Sequence, residues 1–154
     1  MISARRIAER RSAVHDAPRC SVALVIQHRQ RVLLGRRLNA PEIGNWQLPG
    51  GWIGHGESPQ QAVMRQANRF PGLVDPVASF LTYTSNLFDN GLHSISLYFG
   101  LQVEDLAKID LQSNDDCADW DWFDWCNPPT PLFLPLRLLR ESGYDPLEQT
   151  PKLF

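Results

Sequence analysis

Residues 50–73, GGWIGHGESPQQAVMRQANRFPGL, constrain the fold more than any other part of the chain. Their second half carries the start and stop sequences of a helix. Ser58-Pro59 provides an N-cap and a proline at the first helical position, and Gln61 completes a Ser-x-x-Gln capping box. The Pro-Gly pair at 71–72 is typical of a helix end. We therefore predict a helix of about three turns over residues 59–70, held between a glycine-rich loop and a second loop.

Several short apolar or alternating stretches predict strands before and after this helix. They cover residues 21–26, 32–34, 46–51, 77–84, 93–103 and 120–125. A polar turn between the first two predicts a hairpin, and Asn90-Gly91 is a strong turn sequence. A last helix is predicted over residues 132–142, where Gly143 ends it. Strands arranged around one central and one terminal helix indicate an α/β or α+β fold, not a helical bundle.

The composition is that of a soluble globular protein of one domain. The chain has 154 residues, of which 43% are hydrophobic and 21% are charged. The net charge of -2 offers no attraction to nucleic acid or to anionic membranes, and no apolar run is long enough to span a bilayer. We expect neither as a partner. The three cysteines are too few for a disulfide framework or a zinc site, and they fit a cytoplasmic protein.

The first nineteen residues differ in character from the rest of the chain. They contain five arginines and lack the apolar core of a secretory signal, and Glu9 and Asp16 argue against an organellar transit peptide. We therefore predict an N-terminal extension over residues 1–19 and a single domain over residues 20–154.

The segment 51–73 has the spacing G-x5-E-x7-R-E-U-x-E-E-x-G-U, where U is a bulky aliphatic residue, and so resembles the Nudix box. Five residues stand in register: Gly51, Glu57, Arg65, Gly72 and Leu73. LLGRRLNAPEIGNWQLPGGWIGHGES and WDWFDWCNPPTPLFLPLRLLRESGYDPL extend the resemblance to the MutT-type branch of Nudix hydrolases over about residues 20–147. The resemblance implies a Nudix α/β/α sandwich, in which a mixed β-sheet lies between helices and the box forms a loop-helix-loop.

The resemblance also implies a reaction. Nudix enzymes cleave a nucleoside diphosphate linked to another group, X, with water as nucleophile and Mg²⁺ or Mn²⁺ as electrophile. Carboxylates suit these hard cations, and the family places three glutamates on one helix face to hold them. Here Gln66, Arg69 and Phe70 stand at those positions. We therefore expect weak or absent metal binding and assign no metal ligand; restoring the three glutamates should restore binding if the geometry is intact.

The residues that remain in the box have implied roles in its shape. Glu57 and Arg65 correspond to an ion pair that ties the loop to the helix, and Gly72 corresponds to the turn after the helix. Glu57 and Gln66 are the candidates left for a catalytic role, although a neutral amide is a poor general base.

Candidate binding residues are implied both inside and outside the box. They are Arg36, Gln47, Gly50, Gly51, Arg69 and His93 near the phosphates or the substrate, and Leu134 and Leu136 at the nucleobase pocket. Arg69 either binds phosphate as a permanent cation or pairs with an acid. Arg36 or Arg37 could bind a polyphosphate, but one of them must be surface charge if they alternate on a strand. For His93 the sequence favours an exposed residue at a strand start over a contact with the phosphates. For Leu134 and Leu136, packing at a helix start is equally compatible with the sequence.

Three functions remain open. The first is a nucleoside diphosphate-X pyrophosphohydrolase homologue whose catalysis is impaired by the lost glutamates. The second is a non-catalytic nucleotide-binding or interaction module. The third is a nucleotide-sugar hydrolase with an altered box. The acidic residues between Asp115 and Asp121 are either a substitute source of metal ligands or a solvated loop. The family implies a nucleotide or nucleotide-derived ligand, and a homodimer is expected from the family alone.

Overall fold

The structure, a computed structural model, describes residues 17–74 and 76–148. Most of the predicted N-terminal extension therefore lies outside the described residues. Its last residue, Arg19, already belongs to the first strand, where it pairs with Ser94.

One mixed sheet contains the strands of the described residues. These are β1 Arg19–His28, β2 Arg31–Arg37, β3 Trp46–Gln47, β4 Gly50–Trp52, β5 Ser79–Leu87, β6 His93–Gln102 and β7 Cys117–Asp124. The main order is β3-β2-β1-β6-β5, while β4 pairs with β1 and β7 pairs with β2. The central pair β1 and β6 is parallel, and the other pairs are antiparallel.

Helix α1, Pro59–Ala67, lies within the predicted segment but ends three residues before the predicted Phe70. The capping box is present, because Ser58 accepts from the backbone of Gln61 and the Gln61 side chain accepts from the backbone of Ser58. After Ala67 the chain tightens, and the amides of Arg69 and Phe70 donate to carbonyls three residues back. This tighter turn shifts residues 69 and 70 out of the α-helical arrangement that the box spacing assumes.

Two helices cover opposite faces of the sheet. In β1, Leu24 and Ile26 pack in the same buried cluster as Val63 of α1, whereas Val25 packs with Leu139 of α2, Leu134–Glu141. This alternation follows from the two-residue period of a strand. The predicted α/β/α sandwich, with a mixed sheet between helices, is confirmed. A short 3₁₀ helix, Leu106–Lys108, follows β6, and no helix among residues 17–74 and 76–148 is long and apolar enough to cross a membrane.

Gly72 fixes the path of the chain behind α1. Its φ of +94° lies in the left-handed region, and a Cβ at this position would stand 1.7 Å from the carbonyl oxygen of Lys108. The position therefore excludes a side chain both through its backbone conformation and through lack of space.

Candidate functional site

A cleft of about 780 Å³ opens where β1 pairs with β4, and we refer to it as the cleft. Its floor is formed by alternate residues of two neighbouring strands: Ser21 and Ala23 of β1, and Ser94, Ser96 and Tyr98 of β6. Its walls come from β4, from the turn after α1, from the loop before β7 and from the start of α2. The cleft thus joins the box segment to the C-terminal segment that contains the predicted nucleobase-pocket residues Leu134 and Leu136.

The loop and helix of the box are tied together by Glu57 and Arg65. Arg65 donates to both carboxylate oxygens of Glu57, from Nε and from Nη2, at 2.9 Å each. Glu57 also accepts from the backbone amide of Gly54 at 3.0 Å, and Arg65 donates to the carbonyl of Trp52 at 2.9 Å. The hydrogen bonds from Arg65, and then that from Gly54, lower the pKa of Glu57 from 4.5 to about 2. Glu57 is therefore held as a carboxylate in a structural ion pair.

Arg69 is held at the cleft by two oxygen atoms. Its Nη1 donates to Oδ2 of Asp116 at 2.5 Å and to Oε1 of Gln66 at 3.1 Å. Gln66 is buried in the wall of the cleft, and Arg69 is about one-third exposed, so the guanidinium lies at the boundary between wall and solvent. A positive charge and an occupied amide oxygen thus stand at two positions where the family carries metal-binding glutamates.

Phe70 takes the third of these positions and belongs to the core. Its side chain is 3% exposed and contacts the ring of Trp120 edge to face, with 5.0 Å between ring centroids. Together these three residues offer one neutral oxygen that already accepts a hydrogen bond, one cation and one hydrocarbon ring. They do not fit a divalent metal, and no group of three or more His, Cys, Asp or Glu side chains in the described chain is arranged to hold one.

The acidic residues before and within β7 differ in position and in partner. Asp116 and Asp115 line the cleft, and Asp116 carries the ion pair with Arg69. Asp119 pairs with Arg36 at 3.6 Å, and Asp121 accepts from the backbone of Trp122. Only the first two of these four carboxylates therefore reach the cleft.

Arg37, and not Arg36, lines the cleft. Its Nη1 donates to the side-chain oxygen of Gln47, its Nε donates to the carbonyl of Pro41 at 2.8 Å, and its guanidinium lies 3.9 Å from the ring centre of Phe133. Burial lowers the pKa of Arg37, although acidic neighbours oppose this effect. The expectation that placed Arg36 at the substrate differs from the structure, because Arg36 is half exposed outside the cleft beside Asp119.

Gln47, Gly50 and Gly51, three of the predicted substrate-binding residues, line the cleft. Gln47 is buried and accepts from Arg37. A Cβ on Gly50 would stand 2.1 Å from the carbonyl oxygen of Val22, so the close approach of β4 to β1 requires glycine here. The backbone of the box therefore forms part of the cleft wall.

The structure separates the remaining candidates. Leu136 lines the cleft together with its neighbours Phe133 and Pro135, whereas Leu134 does not. The backbone amide of Leu134 instead donates to Glu42 at 3.1 Å. His93 lies outside the cleft lining, and its Nε2 is 2.9 Å from the hydroxyl of Ser85. A substrate contact by His93 or Leu134 thus has no support in the geometry.

Sequence reasoning missed other residues of the cleft. At one end the guanidinium of Arg19 lies 4.0 Å from the ring centre of Trp52, and on the floor lie Ser94 and Ser96. A pattern in the sequence could have indicated the serines, because they alternate along β6 with the apolar residues Ile95 and Leu97. Polar residues on one side of a strand beside a glycine-rich loop indicate a floor that is open to ligand.

Comparison with known proteins establishes the family. A family model described as NUDIX domain matches residues 17–135, and the chain belongs to this family. The chain is 33% identical to an ADP-ribose pyrophosphatase of Methanocaldococcus jannaschii over 117 residues, which cover 75% of this chain and 68% of the relative.

Two solved structures support the same assignment. A MutT NUDIX hydrolase from Burkholderia pseudomallei is 25% identical, with a TM-score of 0.69 over 83% of this chain and 99% of that one. The NUDIX domain of Shewanella oneidensis NrtR, solved as a complex with ADP ribose, is also 25% identical, with a TM-score of 0.66 over 93% of this chain and 97% of that one.

Proposed function

We propose that this Nudix-family protein binds a nucleoside diphosphate derivative in the cleft through arginine side chains instead of a metal-loaded helix. In this proposal its metal-dependent pyrophosphohydrolase activity is weak or absent. The proposal thus combines two of the functions considered from the sequence. The protein would be an impaired hydrolase homologue that still binds nucleotides.

The observation that carries the proposal is the Arg69 site. Arg69 holds the place of a metal-binding glutamate and donates to Asp116 and Gln66, while Phe70 is packed against Trp120. A diphosphate carries two or three negative charges, which either a metal or guanidinium groups must offset. At this cleft the permanent cations are already present.

Arg37 supports the same proposal from the opposite wall. Its contacts with Gln47, Pro41 and Phe133 fix the guanidinium before any ligand arrives, which reduces the entropy lost on binding. The adjacent Phe133, Pro135 and Leu136 provide an apolar surface of the kind on which a nucleobase packs. ADP-ribose appears in the names of two of the similar proteins, the Methanocaldococcus jannaschii pyrophosphatase and the Shewanella oneidensis NrtR domain. ADP-ribose is a nucleoside diphosphate derivative.

Hydrolysis is tested with a panel of nucleotides and nucleotide sugars, with Mg²⁺, with Mn²⁺ and with EDTA. The readout is chromatography of the nucleoside monophosphate product, together with release of phosphate or pyrophosphate from the nucleotides. We expect no metal-dependent turnover above background. The family generally uses divalent metals, and turnover that EDTA abolishes would contradict the proposal. Such turnover would instead favour a hydrolase in which Asp115 and Asp116, the two acids at the cleft, serve as replacement ligands.

Binding is tested by calorimetry with ADP-ribose in the presence of EDTA. Arg37→Gln and Arg69→Gln should each weaken binding by roughly tenfold or more, the loss expected for one charge-assisted hydrogen bond. Arg36→Gln is the matched control, because this neighbouring arginine lies outside the cleft. Equal effects at positions 36 and 37, or binding that requires Mg²⁺, would overturn the proposal.

A further inference from the structure

We infer that Asp116 determines which anions the cleft accepts. Its carboxylate competes with ligands for Arg69 from within the protein, so that a ligand with a single negative charge is excluded and a ligand with two or more displaces it. This inference rests on the proposed function, since it concerns the anions that the arginines of the cleft bind. Asp116 would thus set the lowest charge at which a ligand binds.

The contact between Asp116 and Arg69 is that of a bound anion. Oδ2 of Asp116 accepts from Nη1 of Arg69 at 2.5 Å, a charge-assisted hydrogen bond, and both residues line the cleft. No second carboxylate among residues 17–74 and 76–148 forms a salt bridge with Arg69. An incoming phosphate therefore meets a cation whose charge is already balanced, beside a carboxylate that repels it.

The carboxylate of Asp116 also acts on the second arginine of the proposed site. Burial lowers the pKa of Arg37, whereas Cys117, Glu42 and Asp116 raise it. Because Asp116 forms a hydrogen bond with Arg69 and also stabilises the charged form of Arg37, its carboxylate lies near both cations. It therefore occupies the region in which the proposed function places a diphosphate.

The ion pair is built so that a ligand can displace the side chain without moving the backbone. The side chains of Asp116 and Arg69 are 42% and 30% exposed, and an ion pair so open to water contributes little to stability. The backbone amide of Asp116 donates to the side chain of Asn114 at 2.9 Å, and its carbonyl accepts from the amide of Leu38 at 2.9 Å. Only the carboxylate has to turn towards solvent.

Selection by charge follows from the tethering of this carboxylate. Asp116 loses no translational freedom when it pairs with Arg69, whereas a free ligand does. A ligand with one negative charge offers Arg69 no more than Asp116 already does, and it cannot recover that loss. A diphosphate carries two or three charges and has enough oxygens to contact both Arg69 and Arg37. It can therefore replace the carboxylate.

The test uses ADP, AMP and the methyl ester of AMP as calorimetric ligands of the full chain in EDTA. At pH 8 the phosphate of AMP carries about two negative charges, since its second pKa is about 6, and the methyl ester keeps a single one. Asp116→Asn should bind ADP about tenfold more tightly than the wild type does, because Arg69 is released. The same variant should bind the methyl ester more tightly than the wild type, and so discriminate less between this ester and AMP.

Asp119→Asn is the matched control. Asp119 also pairs with an arginine, but its partner Arg36 lies outside the cleft. Its φ of +56° is left-handed, a conformation that asparagine tolerates as well as aspartate does. This variant loses one carboxylate and one ion pair, as Asp116→Asn does, and should leave the affinity for all three ligands unchanged.

A double variant separates the release of Arg69 from a general loss of negative charge. In an Arg69→Gln background, Asp116→Asn should no longer raise the affinity for ADP, because no guanidinium is left to release. A gain of the same size with and without Arg69 would mean that Asp116 acts only through its charge, and would overturn the inference. A methyl ester that binds the wild type as tightly as AMP does would also overturn it.

The remaining outcomes separate this inference from the proposed function. If the wild type binds ADP and Asp116→Asn leaves that affinity unchanged or lowers it, Asp116 is not a competitor, and the proposed nucleotide binding stands. If neither protein binds ADP, the proposed function is itself wrong. Melting temperatures identify any variant that fails to fold, and Asp116→Ser provides a second way to remove the carboxylate.

Discussion

The guanidinium of Arg69 donates to the carboxylate of Asp116, a residue 47 positions later in the chain, with 2.5 Å between the two atoms. This contact joins the turn after α1 to the loop before β7 and neutralises one of the two acids that reach the cleft. Arg69 therefore stands where the family carries a metal-binding glutamate, and it also pairs with the carboxylate of Asp116. Both effects lower the attraction of this region for a divalent ion.

A double variant, Gln66→Glu with Arg69→Glu, should create a metal site where the wild type has none that fits. It releases Asp116 and places two new carboxylates beside it, a donor set that hard cations prefer. We expect Mn²⁺ affinity to rise by roughly tenfold or more, measured by calorimetry. Arg36→Glu, which adds a carboxylate outside the cleft, should leave Mn²⁺ affinity unchanged. Tight Mn²⁺ binding by the wild type would remove the basis of this prediction.

Phe70→Glu should destabilise the fold instead of adding a third ligand. The side chain is 3% exposed against Trp120, so the change removes core packing and buries a charge, at a cost of about 3–5 kcal/mol. Phe80→Glu, at a side chain that is 57% exposed, should cost far less. Denaturant unfolding of both variants measures the two free energies. The third of the three restored glutamates is therefore expected to cost stability, and comparable stability of the two variants would contradict this expectation.

The sequence predicted the order of elements well, because their boundaries depend on local chemistry. Ser58-Pro59 fixed the start of α1, and the apolar period located β1 and β6. The end of α1 was predicted too late, at Phe70, since the change to tighter hydrogen bonds after Ala67 has no distinct residue type to mark it. Local patterns were thus reliable wherever a cap or a strand period was present.

The cleft was harder to predict, because it depends on side-chain direction and on contacts between distant segments. The register of β2 against β7 is irregular between Leu34 and Arg36, so alternation alone could not decide which arginine faces the cleft. The partner of Arg69 lies in another segment, beyond the reach of any spacing rule. The glycines of the box do line the cleft, and the sequence could indicate them because their requirement is one of backbone space.

Gly72→Ala should destabilise the protein more than an ordinary glycine replacement in the left-handed region. Gly143 is the matched control, because its φ of +78° is similar but no atom lies within 4 Å of the added Cβ. We expect about 1 kcal/mol for Gly143→Ala and at least about 2 kcal/mol more for Gly72→Ala, which must displace the carbonyl of Lys108. Chemical unfolding measures both values. Equal losses would mean that the 3₁₀ segment yields easily and that φ alone sets the requirement.

The Glu57–Arg65 pair should make stability depend on pH in an acidic window. The pKa of Glu57 falls from 4.5 to about 2 on folding, so the folded protein holds fewer protons than the unfolded chain between these values. The stabilisation is complete above pH 4.5 and is lost as the pH falls towards 2. Glu57→Gln removes the titrating group, and Arg65→Gln removes the main cause of its shift. Unfolding free energies measured from pH 2 to 6 should therefore vary less steeply in both variants than in the wild type, whereas three parallel curves would show that this ion pair contributes no pH dependence.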